Sequence, residues 1–328
     1  MDNSAAIRKK MNQLGGKGLP FVFLIDFLMK DPQIFPFDDQ SGKIKWEIHN
    51  PGQADPSRKT PPRHMPFLSR WNINPVSFET YRKGFGLVKK HILNGDTYLL
   101  NYTQPAAVDT NLTLDEIFQI SAAPYKILLK NRFVCFSPES FVKITGGKIS
   151  SFPMKGTIDA NCHDADKLLL SDTKELAEHS TITDLIRNDI SMVAGNVTVE
   201  KFRYLERIHT NRKDLLQVSS EITGDLPLNY PEIIGDIIFT ILPAGSISGA
   251  PKKKTVEIIL EAENYNRGYY TGIFGIFDGK NLDSCVLIRF IENQNGRLVY
   301  KSGGGITFMS DPESEYNEMI NKVYVPIS

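Results

Sequence analysis

The order of strand-like and helix-like segments constrains the fold of this chain more than any other feature. β-Branched and aromatic residues dominate 132–157 and 268–308, whereas helical patterns occupy 164–194 and 231–263. The two kinds of segment come in blocks and do not alternate as the β-α-β units of parallel sheets do. We therefore expect an α+β architecture built on antiparallel sheets.

Local signals divide these blocks further. The chain reads as a helix that stops at Gly95, followed by a strand over Tyr98 to Thr103. Residues 268–308 read as three antiparallel strands, closed by a helix in 311–323. The segment 40–70 is rich in proline, polar and charged residues and predicts a long surface excursion.

Composition excludes several classes of protein. The chain has 328 residues, 41% of them hydrophobic, which is enough for a large core in one or two domains. Its 38 basic and 38 acidic residues cancel, so the field that gathers nucleic acid is missing. Neither a signal peptide nor a membrane span is predicted, and three scattered cysteines support no disulfide framework. These features together predict a cytoplasmic protein without a membrane or nucleic-acid partner.

A glycine pair predicts a β-hairpin that brings an acid close to an amine. If Gly146 and Gly147 form the turn, Glu139 faces Met154 and lies one residue from facing Lys155. One interpretation is a surface ion pair of the kind common on hairpins. The other is a functional pair, in which partial desolvation keeps Lys155 neutral and nucleophilic while Glu139 acts as general acid or base.

The stretch "LPAGSISGAPKKK" combines glycines, serines and a basic turn. It precedes a helix predicted to begin around Ala250 and Pro251, whose free backbone N–H groups would form an anion site. The spacing does not match a phosphate-binding P-loop, so no nucleotide is implied. The lysines at 252–254 oppose the helix dipole and are expected to be either screened by solvent or compensated by an anion.

Two pairs of glutamates at i,i+3 spacing suggest a metal site. Glu175 with Glu178, and Glu315 with Glu318, each share one face of a predicted helix. Carboxylate oxygens from two helices would suit Mg²⁺. Acidic helix faces are also common without any metal, and acids near a helix N-terminus are stabilising in themselves.

These pieces resemble, in their order, the chorismate-utilising enzyme family. The matching stretches are "GDTYLLNYTQP", "FSPESFVKI", "PMKGT", "AEHSTITDLIRNDI", "LPAGSISGAPKKKTVEII", "GYYTGIFGIFDGKNLDSCVLIRF" and "SGGGITFMSDPESEYNEMINKV". The resemblance implies large antiparallel sheets that form a sandwich flanked by helices. It also implies a chorismate-binding catalytic domain over 75–328, preceded by an N-terminal strand and excursion region, 1–74, that is reduced relative to the family.

The resemblance further implies an activity, because the residue before the Gly-Thr of "PMKGT" differs between branches of the family. Lysine at that position is typical of aminodeoxychorismate synthases of the para-aminobenzoate and folate pathway, and Ser246 points the same way. Lys155 would attack C2 of chorismate, Glu139 would assist departure of the C4 hydroxyl, and ammonia would then add at C4. Branches that add water carry a lysine at the position of Leu99.

Family roles carry over to specific positions. Glu178 and Glu318 match magnesium ligands, with Glu315 beside them. The other implied positions bind the carboxylates of chorismate or line the pocket: Tyr270, Arg289, Gly304, Gly305, Lys322, Gly245 and Ser246.

Some features of the chain depart from the family pattern. Gln217 stands where members often have a histidine, and the short N-terminal region makes tryptophan binding doubtful. No glutaminase motif is evident, so ammonia would come from solution or from a separate glutaminase subunit. Anthranilate synthase and a non-catalytic chorismate-binding subunit remain alternatives.

Overall fold

The computed structural model describes residues 3–49, 66–208 and 214–327. Two helices, Asn3–Gly15 and Leu114–Ile120, were not predicted, and the others lie in the predicted blocks. The long helix expected over 164–194 breaks at Asp172. Asp172 caps the second piece, since its side chain accepts a hydrogen bond from the backbone N–H of Glu175. The helices are α1 (Asn3–Gly15), α2 (Phe78–Leu93), α3 (Leu114–Ile120), α4 (Ala165–Ser171), α5 (Thr173–Ser191), α6 (Ile234–Ile241), α7 (Gly245–Ser248), α8 (Lys252–Ala262) and α9 (Pro312–Asn321).

Strands account for most of the remaining chain. The first group comprises β1 (Phe21–Ile25), β2 (Gln33–Pro36), β3 (Ile44–Ile48), β4 (Trp71–Pro75), β5 (Leu99–Thr110), β6 (Tyr125–Leu129), β7 (Phe133–Ser137), β8 (Ser140–Thr145) and β9 (Lys148–Ser151). The second group comprises β10 (Met154–Asp159), β11 (Gly195–Ile208), β12 (Leu215–Asp225), β13 (Gly249–Ala250), β14 (Ile273–Phe277), β15 (Leu282–Val286), β16 (Phe290–Gln294) and β17 (Arg297–Ile306).

The strands form two large antiparallel sheets. One sheet runs β10-β12-β9-β8-β15-β14-β1-β2, with β11 added on β12. The other runs β13-β5-β17-β16-β7-β6-β3, with β4 added on β5. The expected α+β fold, with antiparallel sheets flanked by helices, is confirmed. The proposed boundary at residue 75 stays a prediction.

A shared apolar core lies between the sheets. Val22 and Phe274 of the first sheet pack in one cluster with Ile127, Phe133 and Phe290 of the second, and all five side chains are buried. A larger cluster joins the first sheet to the helices, including α2, α5, α6 and α8. Burial of so many large side chains supplies most of the free energy that opposes chain entropy.

The glycine hairpin forms in the predicted register, but it is shorter than predicted. Lys143 pairs with Ser150 and Thr145 pairs with Lys148, as expected for a turn at the two glycines. The pairing ends there, because β10 leaves the hairpin and pairs with β12 instead. The expectation that Glu139 faces Met154 is therefore wrong: Met154 pairs with Ser219.

Two other local expectations also change. The segment 268–308 contains four strands, since Leu282–Val286 and Phe290–Gln294 form separate strands in different sheets. Part of the predicted surface excursion, Ile44–Ile48, forms an edge strand, while 50–65 lies outside the described residues.

The apolar stretch 230–248 is long and apolar enough to cross a membrane, but half of it is buried within the protein, as in a core helix. It consists of a 3-10 turn, α6 and α7. Helix α1 packs along α6, and Asn12 Oδ1 accepts the backbone N–H of Gly235 at 2.7 Å. The N-terminal helix thereby supports the segment that leads to the "GSISGAP" loop.

Candidate active site

One cavity of about 460 Å³ collects the residues that the sequence singled out. Its walls come from β5, β10, β17, α5, α9 and the turn between β15 and β16. Every predicted catalytic, binding and metal residue lines it except Gly245, which borders a smaller cavity behind Glu139. A cavity of this size suits a small organic molecule.

A β-bulge directs Lys155 into this cavity. The register of β10 on β12 shifts between Lys155 and Thr157, and Gly156 between them has φ +75°, a left-handed conformation that favours glycine. Lys155 Nζ donates a hydrogen bond to Glu178 Oε2 of α5 at 2.8 Å.

The charge state of Lys155 differs from the expectation. Burial has the largest single effect on its pKa and lowers it, but the carboxylates of Glu178, Glu175 and Glu318 together raise it, so that the net pKa lies above the ordinary value of 10.5. The expectation that desolvation keeps this amine neutral is wrong while the ion pair is intact. Lys155 is an ammonium that must lose a proton before it can act as a nucleophile.

Glu139 shows the opposite behaviour. Burial raises the pKa of its carboxyl group, although a hydrogen bond from Ser246 and the charge of Lys155 oppose the effect. Ser246 Oγ donates to Glu139 Oε1 at 2.7 Å, which fixes the carboxyl group at the cavity wall. A carboxyl group with a raised pKa is suited to donate a proton.

The predicted metal ligands face the same cavity from two helices. Glu175 and Glu178 of α5 and Glu315 and Glu318 of α9 all line it. The chemistry of this oxygen donor set fits Mg²⁺. In the described part of the chain, however, no three acidic, histidine or cysteine side chains converge closely enough to hold a metal ion. Instead, lysine ammonium groups pair with Glu178 and Glu318.

Glycines in β17 keep one wall of the cavity open. A Cβ on Gly304 would lie 3.4 Å from Glu315 Oε2 and 3.5 Å from Lys322 Nζ. A side chain on Gly304 would fill the space between helix α9 and strand β17. Lys322 Nζ also donates to the carbonyl of Gly303 at 2.9 Å, which ties α9 to the same wall.

Arg289 supplies positive charge at another wall. It lies in the turn between β15 and β16 with φ +54°, a strained conformation for a residue with a side chain. Its guanidinium makes no ion pair with any described carboxylate, and its surroundings include the aromatic rings of Tyr270, Tyr300 and Tyr324. A guanidinium at a cavity wall without a carboxylate partner is suited to bind an anionic ligand.

The "GSISGAP" loop is held by buried ion pairs. Lys252 Nζ lies 2.8 Å from Asp189 Oδ1, so this lysine is compensated by an acid of the protein, not by solvent or a bound anion. Burial raises the pKa of Asp189 to about 6 despite this pair. Helix α8 begins at Lys252, one residue after the predicted start, and Pro251 is its N-cap residue.

A second buried pair joins the loop to β5. Arg267 and Glu263 are almost fully buried, with their closest atoms 2.7 Å apart. Arg267 also donates to the carbonyls of Ile247 and Asn101, and Glu263 accepts from the backbone N–H of Thr103. This network fixes the distance between the loop and the strand on either side of the cavity.

Comparisons with known proteins agree with this geometry. The family model described as chorismate binding enzyme matches residues 33–328. The chain belongs to this family.

Several relatives of this chorismate binding enzyme carry specific names. An uncharacterized PabA-like protein of Pasteurella multocida is 50% identical, over 98% of each chain. Anthranilate synthase component 1 of Acetivibrio thermocellus is 36% identical over 75% of this chain and 52% of that relative. Aminodeoxychorismate synthase component 1 of Bacillus subtilis is 30% identical over 76% of this chain and 55% of that relative.

Solved structures show the same fold. Anthranilate synthase component I of Streptococcus pneumoniae superposes with a TM-score of 0.65 at 25% identity, over 78% of this chain and 59% of that one. The menaquinone-specific isochorismate synthase of Escherichia coli superposes with a TM-score of 0.71 at 15% identity, over 98% of this chain and 80% of that one. At 15% identity the likeness concerns the fold alone.

Sequence reasoning missed some cavity residues of this chorismate binding enzyme. Asn101 lies two residues after Leu99 on β5, and both line the cavity, so strand alternation was a usable signal. Lys301 also lines it, but its ammonium is held by Glu292 at 2.8 Å. Gln217, a departure from the family pattern, also lines the cavity and pairs with Thr157 on the neighbouring strand.

Proposed function

We propose that this chorismate binding enzyme is an aminodeoxychorismate synthase, which converts chorismate and ammonia to 4-amino-4-deoxychorismate and water. The observation that carries the proposal is a lysine, Lys155, in the same cavity as a carboxyl group of raised pKa, Glu139. The aminodeoxychorismate synthase relative supports the assignment.

The first half of the reaction uses both residues. The Lys155 ammonium first loses a proton to water. Its neutral Nζ then forms a bond to C2 of chorismate, both ring double bonds shift by one position, and the bond from C4 to its hydroxyl oxygen breaks. Glu139 gives its proton to that oxygen, which leaves as water. Formation of a covalent adduct divides one difficult substitution into two easier ones.

The second half reverses the movement of electrons. Ammonia forms a bond to C4, both ring double bonds shift back, and the bond between C2 and Lys155 Nζ breaks. The new amine on C4 loses a proton, which restores the acid form of Glu139. Glu139 is then protonated again, and Lys155 leaves as the neutral amine and regains its proton from water, so both groups return to their starting states.

The remaining cavity residues would bind the substrate. Arg289 and Lys322 would attract the carboxylates of chorismate, with Tyr270 and the backbone of Gly304 and Gly305 beside them. Ser246 would keep Glu139 in place. A magnesium ion held by Glu178, Glu315 and Glu318 would supply positive charge to bind the ring carboxylate.

The partners follow from the proposed chemistry. Ammonia would be supplied by a separate glutaminase subunit, because no glutaminase motif is evident in the sequence. We propose a cytoplasmic location for the enzyme, as for para-aminobenzoate and folate biosynthesis.

Anthranilate synthase is the second candidate. The relative of that name shares 36% identity with this chain, against 30% for the aminodeoxychorismate synthase relative. This activity would make Lys155 a bystander, held in its ion pair with Glu178. The two reactions differ in their products, since anthranilate formation also releases pyruvate.

Product analysis tests the proposal. The purified protein is incubated with chorismate, magnesium and an ammonium salt, and products are followed by mass spectrometry. We expect aminodeoxychorismate without pyruvate, and loss of this product in Lys155→Ala. Anthranilate with pyruvate would support the second candidate. Chorismate binding without turnover, even with a glutaminase added, would identify a non-catalytic subunit.

A further inference from the structure

The guanidinium of Arg289 depends on aromatic residues for its position. Among the described residues it has no carboxylate partner, so no ion pair fixes its direction. Its backbone is already in a left-handed conformation, which specifies where the side chain leaves the turn. A long side chain with several rotatable bonds still needs a further contact to keep one orientation.

Tyr324 provides that contact. The Cζ atom of Arg289 lies 5.5 Å from the centroid of the Tyr324 ring, within the range of a cation–π interaction. Tyr324 does not line the cavity, and 46% of its surface is exposed, so the ring reaches the guanidinium from outside the binding space.

The chain around Tyr324 is anchored on both sides. Val323 and Val325 are buried, and the indole N–H of Trp71 donates to the carbonyl of Val323 at 3.3 Å. The hydroxyl of Tyr300 donates to the carbonyl of Tyr324 at 3.2 Å. Further along, the backbone N–H of Ala122 donates to the carbonyl of Pro326 at 2.7 Å. The exposed ring therefore stands on a fixed backbone.

We propose that Tyr324 is a positioning residue, whose ring holds the Arg289 guanidinium in the orientation that binds a carboxylate of the substrate. The identity of that substrate rests on the proposed function. The contact between the Tyr324 ring and the Arg289 guanidinium does not depend on the proposed function, because it involves no ligand. Tyr324 acts through Arg289 and does not itself touch the ligand.

Kinetics test the consequence for substrate binding. In Tyr324→Ala we expect the KM for chorismate to rise about tenfold, the effect of losing a partly desolvated cation–π contact, while kcat changes less than about twofold. Tyr324→Phe keeps the ring but loses the hydroxyl, which also interacts with the guanidinium, so it should recover only part of the affinity. In an Arg289→Lys background, Tyr324→Ala should have little further effect, because the two residues act as a unit.

A second measurement does not depend on chorismate. The Nε–Hε signal of Arg289 in a nitrogen-proton NMR spectrum is identified by its absence in Arg289→Lys. We expect it to move or broaden in Tyr324→Ala and to move less in Tyr324→Phe, which keeps the ring but not the hydroxyl. Phe37→Ala is the matched control, because Phe37 is also a half-exposed ring, in contact with Trp46.

The outcomes separate the two proposals. If wild-type protein neither binds nor converts chorismate, the proposed function fails, and the NMR signal alone decides the role of Tyr324. An Arg289 signal that is unchanged in Tyr324→Ala overturns the inference. So does an unchanged KM for chorismate in an active Tyr324→Ala variant.

Discussion

Lys155 and Glu178 form an ion pair, 2.8 Å from Nζ to Oε2, between the proposed nucleophile and a proposed magnesium ligand. The pair keeps Lys155 protonated, whereas nucleophilic attack requires the neutral amine. Any cation that binds Glu178 competes with Lys155 for the same carboxylate. The protonation state of Lys155 and the affinity of the acidic residues for a metal ion therefore both depend on the contact between Lys155 and Glu178.

Glu178→Gln should make Lys155 more reactive toward amine reagents. Removal of the carboxylate removes the largest influence that raises the pKa of Lys155, while burial still lowers it. The variant should therefore contain more neutral amine at pH 8. Trinitrobenzenesulfonate labelling followed by peptide mapping measures this, with exposed Lys10 as the internal control. Equal labelling of Lys155 in wild type and in Glu178→Gln would show that the Glu178 carboxylate does not keep Lys155 protonated.

Glu139→Gln should abolish most activity and increase stability at neutral pH. Burial raises the pKa of Glu139 in the folded protein, so the folded state holds this proton more tightly than the unfolded chain. Stability therefore falls as the pH rises above the ordinary value of 4.5, and the loss is complete above the raised pKa. Glutamine cannot ionise and avoids this loss.

Thermal unfolding of both proteins checks this prediction. We expect a higher Tm for Glu139→Gln than for wild type at pH 8, with the advantage shrinking toward pH 4. The rate of chorismate conversion should drop by about 10²–10⁴-fold, the usual contribution of a general acid. A variant that is less stable than wild type at pH 8 would mean that the folded protein stabilises the Glu139 carboxylate, so that its pKa is not raised.

Glu263→Ala should destabilise the protein by about 3–5 kcal/mol, because it leaves Arg267 as a buried, unpaired charge. Both side chains are almost fully buried. Urea unfolding measures the change. Glu79→Ala is the control, since the pair of Glu79 with Lys83 is exposed and should contribute less than about 0.5 kcal/mol. A similar loss of unfolding free energy in Glu263→Ala and Glu79→Ala would show that burial of the ion pair does not determine the cost.

Local sequence pattern was sufficient for the hairpin but not for the site built around it. The glycine turn and the register of Lys143 with Ser150 follow from residues within a few positions of one another. The partner of Lys155 does not follow from nearby residues. Strand β10 pairs with β12, which lies far along the chain, and Lys155 contacts Glu178 instead of Glu139. Counting paired positions on either side of a turn gives no information on pairing between strands that are far apart in the sequence.

Except for Gly245, the residues that the family resemblance named lie around one cavity, but their charge states depend on the three-dimensional structure. Predicted residues from separate elements, such as Glu139, Arg289 and Glu315, line one space. Whether Lys155 is neutral or charged depends on a balance between burial and a neighbouring carboxylate, which sequence alone does not supply. Tyr324 was not identified from the sequence, because a single half-exposed tyrosine belongs to no motif or periodic pattern that predicts a function.

Lys155→Ala should strengthen magnesium binding even as it abolishes the proposed reaction. In wild type the ammonium of Lys155 neutralises Glu178, and a metal ion must displace it. Without the lysine, the carboxylates of Glu175, Glu178, Glu315 and Glu318 around the same cavity repel one another, and a divalent cation relieves that repulsion. We expect about tenfold tighter binding, equivalent to about 1.4 kcal/mol.

Calorimetric titration of metal-stripped protein with MgCl₂ alone measures this affinity without any catalytic turnover. Lys83→Ala is the control, because Lys83 pairs with Glu79 on the exposed face of α2 and should leave magnesium binding unchanged. Glu318→Gln should weaken binding, because it removes one oxygen donor from the set. Weaker binding in Lys155→Ala would mean that lysine and metal do not compete for Glu178. If neither wild type nor Lys155→Ala binds magnesium, the four glutamates are acidic helix faces and the metal proposal is wrong.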